Sequence, residues 1–271
     1  MHPSRFVASS IVSLCLIGGP ALHSVAVAAV TAEQAATPQS WRGVILQGNA
    51  IEIKGVNGEI TATASTGREV EVSAVMRGRR SNPAEVRLDI VQHGDGVTIC
   101  ALYPSPDSRP NECAPGDGGR MNVKDNDVNV AFTVRVPAGV RFIGHTVNGD
   151  VSAEGLAAPV SVRTVNGEAQ FSTSSYGDAS TVNGSIRGSM GSTQWNQSLK
   201  FRTVNGSISL DLPSDASTEV QAATVNGSIN TDFPITVTGR VNPRRLTGTI
   251  GGGGRSMDLE TVNGSVTLKR R

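Results

Sequence analysis

One tripeptide, Val-Asn-Gly, recurs seven times in a chain of 271 residues. Its corners are Asn57-Gly58, Asn148-Gly149, Asn166-Gly167, Asn183-Gly184, Asn205-Gly206, Asn226-Gly227 and Asn263-Gly264. From Asn148 onward the asparagines are 18, 17, 22, 21 and 37 residues apart. Inside the last, double-length step "RLTGTI" puts Thr247 in the asparagine place, which divides the step into 21 and 16 and reads as a worn coil over 241–254. A spacing near 20 residues marks a repeat architecture, whose units bury their apolar faces only by stacking.

Aligned on the asparagine, the repeats fall into columns. Four places before it stand Ile53, Gly144, Val162, Ala179, Phe201, Ala222 and Leu259, and three places after it Ile60, Val151, Ala169, Ile186, Ile208, Ile229 and Val266. The column six places before is equally apolar or small. Between these lie polar places such as Glu52, Lys54, Arg163, Lys200, Arg202 and Glu260. Such alternation marks strands with one buried face. A two-residue hairpin would put the same places on one face, so an antiparallel hairpin meander is the alternative. Identical corners favour a stack. A hairpin needs a permissive turn, and Asn-Gly is one because both residues tolerate positive φ. Stacked coils need the same corner again, since each residue sits about 4.8 Å above its counterpart and asparagine amides bond along such a column. The expected fold is all-β: a right-handed parallel β-solenoid of about seven short coils with an N-terminal β-rich capping region. One coil alone buries too little to offset its own ordering entropy, so each depends on its neighbours.

The first 29 residues have another character. Arg5 precedes an apolar stretch from Phe6 to Ile17, and small residues lead to Ala28 and Ala29. This is the order of a secretory signal peptide, too short in its apolar part to span a bilayer. Leu14 stands before Cys15 where a lipoprotein cleavage site carries a small residue. The expected organisation is a signal peptide over 1–29, a flexible mature N-terminus over 30–42, an N-terminal β region with a disulfide loop over 43–141, and the solenoid over 142–271. Beyond the signal only Cys100 and Cys113 remain, which in an exported chain read as one disulfide worth about 3 kcal/mol. No later segment has the length of a transmembrane span. A net charge of +1 argues against a nucleic-acid partner.

Residues 43–141 carry longer strands, "EVEVSAVM", "GVTICALY" and "VNVAFTVRV", with "HGDG" as a hairpin turn and a Pro- and Gly-rich loop over 104–120. The "FTVRVPAGVRF" lead-in and the "TVNGDV" repeats resemble the bacterial putative-adhesin family of exported β-strand-repeat proteins, largely a domain of unknown function. The resemblance runs from about Gly43 to Leu268. It implies a β-solenoid outside the cytoplasm and brings no catalytic residues.

Catalytic chemistry is hard to place. His93 and His145 read as solvent-facing, in a turn and at an outward strand place. Asp150 and Glu168 stand in one column, two places after the asparagine, and would be the pair for a glycosidase. Their repetition is equally that of a solvated ladder. Asp125, Asn126 and Asp127 are hard oxygen ligands, but Val130 and Val136 stand where a calcium loop needs glycine and glutamate. No cofactor, metal or catalytic residue is expected. The function expected is an exported, non-enzymatic adhesin, binding or structural protein of the cell envelope, in periplasm or at the surface. Arg163, Lys200, Arg202 and Glu260 are the candidate ligand-facing surface, with an envelope protein or carbohydrate as partner. The alternatives are a carbohydrate-active enzyme on a β-helix scaffold and an accessory to envelope-stress signalling. N-terminal sequencing of the exported protein is expected to start at Ala29 or Val30, and a start at Met1 in the periplasm would contradict the signal reading.

Overall fold

The computed structural model describes residues 37–237 and 242–271. The expected signal segment and residues 30–36 lie outside them. Two long sheets, of ten and eleven strands, face each other. Each coil contributes one strand to the eleven-stranded sheet, turns at its Asn-Gly corner, and contributes the next strand to the ten-stranded sheet. Ala50–Lys54 and Ile60–Ser65 are one such pair, Arg141–His145 and Val151–Leu156 the next. Neighbouring coils are parallel and in register: Phe142 lies between Ile51 and Val160, and Val151 between Ile60 and Ala169. This is the expected parallel solenoid, and the antiparallel meander is not what forms. The buried columns fill the narrow space between the sheets, with the Phe171 and Phe201 rings stacked 6.2 Å apart.

Stack order departs from chain order at one end. Above the Asn205 coil comes the Asn263 coil, and only then the Asn226 coil. The C-terminal strand Val266–Arg270 therefore inserts between Ile208–Leu212 and Ile229–Thr231. The expected worn coil is corrected here. "RLTGTI" forms Arg245–Ile250, which runs antiparallel to Thr218–Asn226 with Thr247 opposite Gln221, and Ile235–Val237 pairs antiparallel beyond it. A turn at Asn242, whose side chain accepts from the Arg244 N–H, reverses the chain. The segment thus closes an end of the sheet instead of adding a coil.

At the other end the stack continues across the expected boundary at 141/142. Ala50–Lys54 pairs with Arg141–His145 on one side and with Gly96–Leu102 on the other. The hairpin of Arg87–His93 and Gly96–Leu102 ends this sheet, and Asn129–Pro137, Val70–Arg77 and Thr37–Gly43 extend the other. Residues 37–42, expected in a flexible N-terminus, pair along Val70–Arg77 instead.

The corners hold the coils in register. Asn148 donates its side-chain N–H to the Asn57 amide oxygen at 2.9 Å, and the chain of amides continues through Asn166, Asn183, Asn205, Asn263 and Asn226 at 2.8 Å each. Two places earlier, buried Thr164, Thr203 and Thr261 each donate to a glycine carbonyl of the coil below, at 2.8 Å. The reason for glycine is mostly not the expected positive φ. Gly58 has φ +125°, but a Cβ on Gly184 would collide with the Gly167 carbonyl beneath it. No corner asparagine has positive φ; among the described residues only Asp125 does outside glycine. Gly184→Ala is therefore expected to destabilise the protein by about 1–3 kcal/mol, read as a lower urea midpoint. An unchanged midpoint would show that the corner can open.

Candidate binding face

The exposed side of the eleven-stranded sheet carries the polar columns. Register places Lys54, His145, Arg163, Ser180, Arg202 and Glu260 in one row across six coils. All four residues of the candidate ligand-facing surface lie on this side and are exposed. Arg202 and Glu260 pair at 3.4 Å, and Lys200 stands opposite Asp258.

A loop covers the foot of the row. Cys100 and Cys113 form a disulfide that ties residues 104–126 to the sheet. Lys54 Nζ donates to the carbonyls of Ala114 at 2.6 Å, Gly118 at 3.2 Å, and Gly116. Glu52, beneath the loop and 4% exposed, accepts from Thr98 Oγ1 at 2.7 Å and the Gly116 N–H at 3.0 Å through Oε2. The loop and the sheet border an open cleft of about 750 Å³, lined by Lys54, Arg120, Met121, His145 and Asn148 among others. A second cavity of about 440 Å³ opens beside it, lined by Ser161, Tyr176, Asp178, Asn196 and Gln197. Arg163 stands between them, lining the second cavity and reaching Asp117 of the loop at 3.8 Å.

His145 is not solvent-facing as its strand position implied. Burial under the loop pushes its pKa down to about 4, reinforced by the Arg163 and Lys54 charges and opposed by Glu52 and Asp117. His93, the other ring expected in solvent, contacts Thr98 Oγ1 at 3.1 Å. Burial raises the pKa of Asp178, against the hydrogen bond it accepts from Ser161 Oγ at 3.0 Å. The face therefore offers a guanidinium, amides, hydroxyls and a carboxyl at the mouths of two cavities. That set suits hydrogen bonding to a polar ligand. His145, Tyr176, Asp178, Asn196 and Gln197 were missed as site residues. The length and glycine content of the 104–120 loop were the one hint that something folds over this face.

The carboxylates of the catalytic and calcium candidates have structural partners. Asp150 and Glu168 do sit in adjacent coils, where Asp150 accepts from the Glu168 N–H at 2.7 Å and Glu168 pairs with Arg187. Asp127 accepts from the N–H groups of Ser81 at 2.9 Å and Arg80 at 3.1 Å. These bonds, the first above all, hold its pKa at about 2. Among the described residues no group of histidine, cysteine and carboxylate side chains has the geometry of a metal site.

The profile of the Toastrack DUF4097 family matches residues 116–269, more than half of the chain. The chain belongs to the Toastrack family. The Toastrack match takes in six of the seven corners and begins inside the loop over the binding face. It agrees with the resemblance to the putative-adhesin family. A solved structure described as a putative cell adhesion protein from Clostridium sporogenes ATCC 15579 has 10% identity and a TM-score of 0.47, covering 87% of this chain and 100% of that one. One described as a putative adhesin from Bacteroides fragilis NCTC 9343 has 13% identity and a TM-score of 0.36, covering 87% and 97%. A third, described as a putative lipid binding protein from Parabacteroides distasonis ATCC 8503, has 11% identity and a TM-score of 0.29, covering 86% and 96%. No curated protein matches the chain.

The depressed pKa of His145 has a consequence for this Toastrack protein. Below about 6.5 the unfolded chain takes up a proton there that the folded chain refuses until about pH 4. Stability from this group is thus present above pH 6.5 and lost as pH falls to about 4. His145→Gln is expected to flatten the urea midpoint across that window relative to the parent. Equal slopes in the two proteins would refute the burial of the ring.

Proposed function

We propose that this Toastrack protein is exported and acts as a non-enzymatic binding protein of the cell envelope, holding a saccharide on the covered face of its eleven-stranded sheet. The observation that carries the reading is Arg163, which lines one cavity and reaches Asp117 at the wall of the other, on a stack of coils fixed in register. A planar guanidinium flanked by amide and hydroxyl groups suits sugar hydroxyls and carboxylates, and a surface locked by ladder bonds loses little entropy on binding. Export is supported by the signal-like first 29 residues and by a disulfide, which persists in oxidising compartments. Among the described residues no helix is long and apolar enough to cross a membrane. The non-enzymatic part rests on Asp150, whose carboxylate accepts from the Glu168 backbone N–H within the stack.

The test is a glycan-array screen of the disulfide-intact protein with product analysis on each hit. A saccharide is expected to bind without turnover, and Arg163→Ala to weaken it at least about tenfold, the loss of one charged hydrogen bond. Cleavage products would replace this reading with the enzyme alternative. Binding untouched at R163A would move the site elsewhere.

A further inference from the structure

Three letters of the Thr-Val-Asn-Gly repeat have a bonded role inside the chain. Threonine donates to a glycine carbonyl below, asparagine extends the amide ladder, and glycine admits that carbonyl. Valine has no such role. Its carbonyl accepts from the next asparagine N–H, as when Val147 accepts from Asn166 at 2.7 Å, but any residue supplies a carbonyl. Its side chain is partly open to solvent. In stack order Val147, Val165, Val182, Val204, Val262 and Val225 are 36–53% exposed. The buried columns, where packing should constrain identity, range instead from glycine to phenylalanine. An exposed apolar residue kept without variation while the core varies needs a role outside the coil.

These valines form a straight ridge along the Asn-Gly edge. At about 4.8 Å per rung the six of them span roughly 24 Å. Val56, at the foot, is half-buried, and both it and Val147 line the cavity under the 104–126 loop, so the ridge is clear of the loop from Val165 upward. We infer that the ridge is an interface between two copies of this chain, packed valine to valine with their stacks parallel and in register. A partner must present apolar knobs at the spacing of one coil over several rungs, and a second copy does so by construction, as identical side chains do across paired sheets. Charge points to the same partner. Arg163 flanks the ridge on one side and Glu168, of the same rung, on the other. A two-fold axis along the stack sets Arg163 of each copy against Glu168 of the second copy. The present partners of these residues, Asp117 and Arg187, form exposed pairs that exchange readily, so this interface and a ligand at Arg163 compete for one guanidinium. A strip this narrow buries less than about 1,200 Å² in total, so the dimer is a weak, concentration-dependent one.

Sedimentation velocity over micromolar to sub-millimolar concentrations tests the interface. A reversible monomer–dimer equilibrium is expected, weakened at least about tenfold by Val182→Lys combined with Val204→Lys. The paired change Val182→Thr and Val204→Thr, which keeps the branched shape, should retain the thermal midpoint and weaken association less. A monomer at every concentration, or a dimer indifferent to the lysines, overturns the inference. Orientation is read from Val165→Cys, Val182→Cys and Val225→Cys, made one at a time in a Cys15→Ser background. Parallel, in-register packing cross-links each to its own counterpart. Cross-linking confined to the middle of the ridge means antiparallel packing and overturns the register.

Discussion

The contact on which the structure depends is the close approach of one coil's glycine to the glycine carbonyl of the coil beneath. With a side chain there the rungs could not reach the spacing at which asparagine amides bond to one another and threonine hydroxyls reach their acceptors. The corner is therefore a set of mutually dependent small bonds. Each is of modest strength in water, and together they leave one register, because a slip along the stack would break them all.

That register makes the surface. Side chains alternate across each strand, so fixing the corners also fixes which residues line up on the outer face. Lys54, His145, Arg163, Ser180, Arg202 and Glu260 come from six strands yet form one row. The disulfide loop covers the foot of this row. By covering Glu52 and His145 it removes water from two ionisable groups, and it walls one cavity while Arg163 separates the other. Two edges of the Toastrack stack thus differ in kind: a covered polar face and a bare apolar ridge.

Three of the four sheet edges are closed by antiparallel strands, and the fourth, Ile229–Thr231 of the ten-stranded sheet, pairs parallel. Parallel coils leave an edge that would accept another strand, and reversal of the chain at Thr37–Gly43, Arg87–His93 and Arg245–Ile250 ends the repeat. At the C-terminal end the closing segment precedes the last coil in the chain. The Asn263 coil then enters between the Asn205 and Asn226 coils, both of which come before it in sequence. Any coil bearing the same corner satisfies its neighbours, so chain order need not equal stack order.

The sequence by itself determined the parallel stack, the corner, the buried columns and the disulfide, because each rests on local periodicity or on a pairing with one solution. It did not determine the place of "RLTGTI", since six alternating residues with Thr-Gly at their centre read alike as a parallel coil or an antiparallel edge. The choice between them is made by the strands on either side, Thr218–Asn226 and Ile235–Val237, which are tertiary neighbours. Nor did it reveal the burial of His145 or the grouping of Tyr176, Asp178, Asn196 and Gln197 with Arg163. The cover over His145 and the approach of Asn196 and Gln197 depend on where two irregular loops fold, and loops lacking a repeat are positioned by long-range contacts alone. The rungs and the row that includes Arg163 were legible because the coils copy one another; what covers and flanks that row was not, because the loops do not repeat.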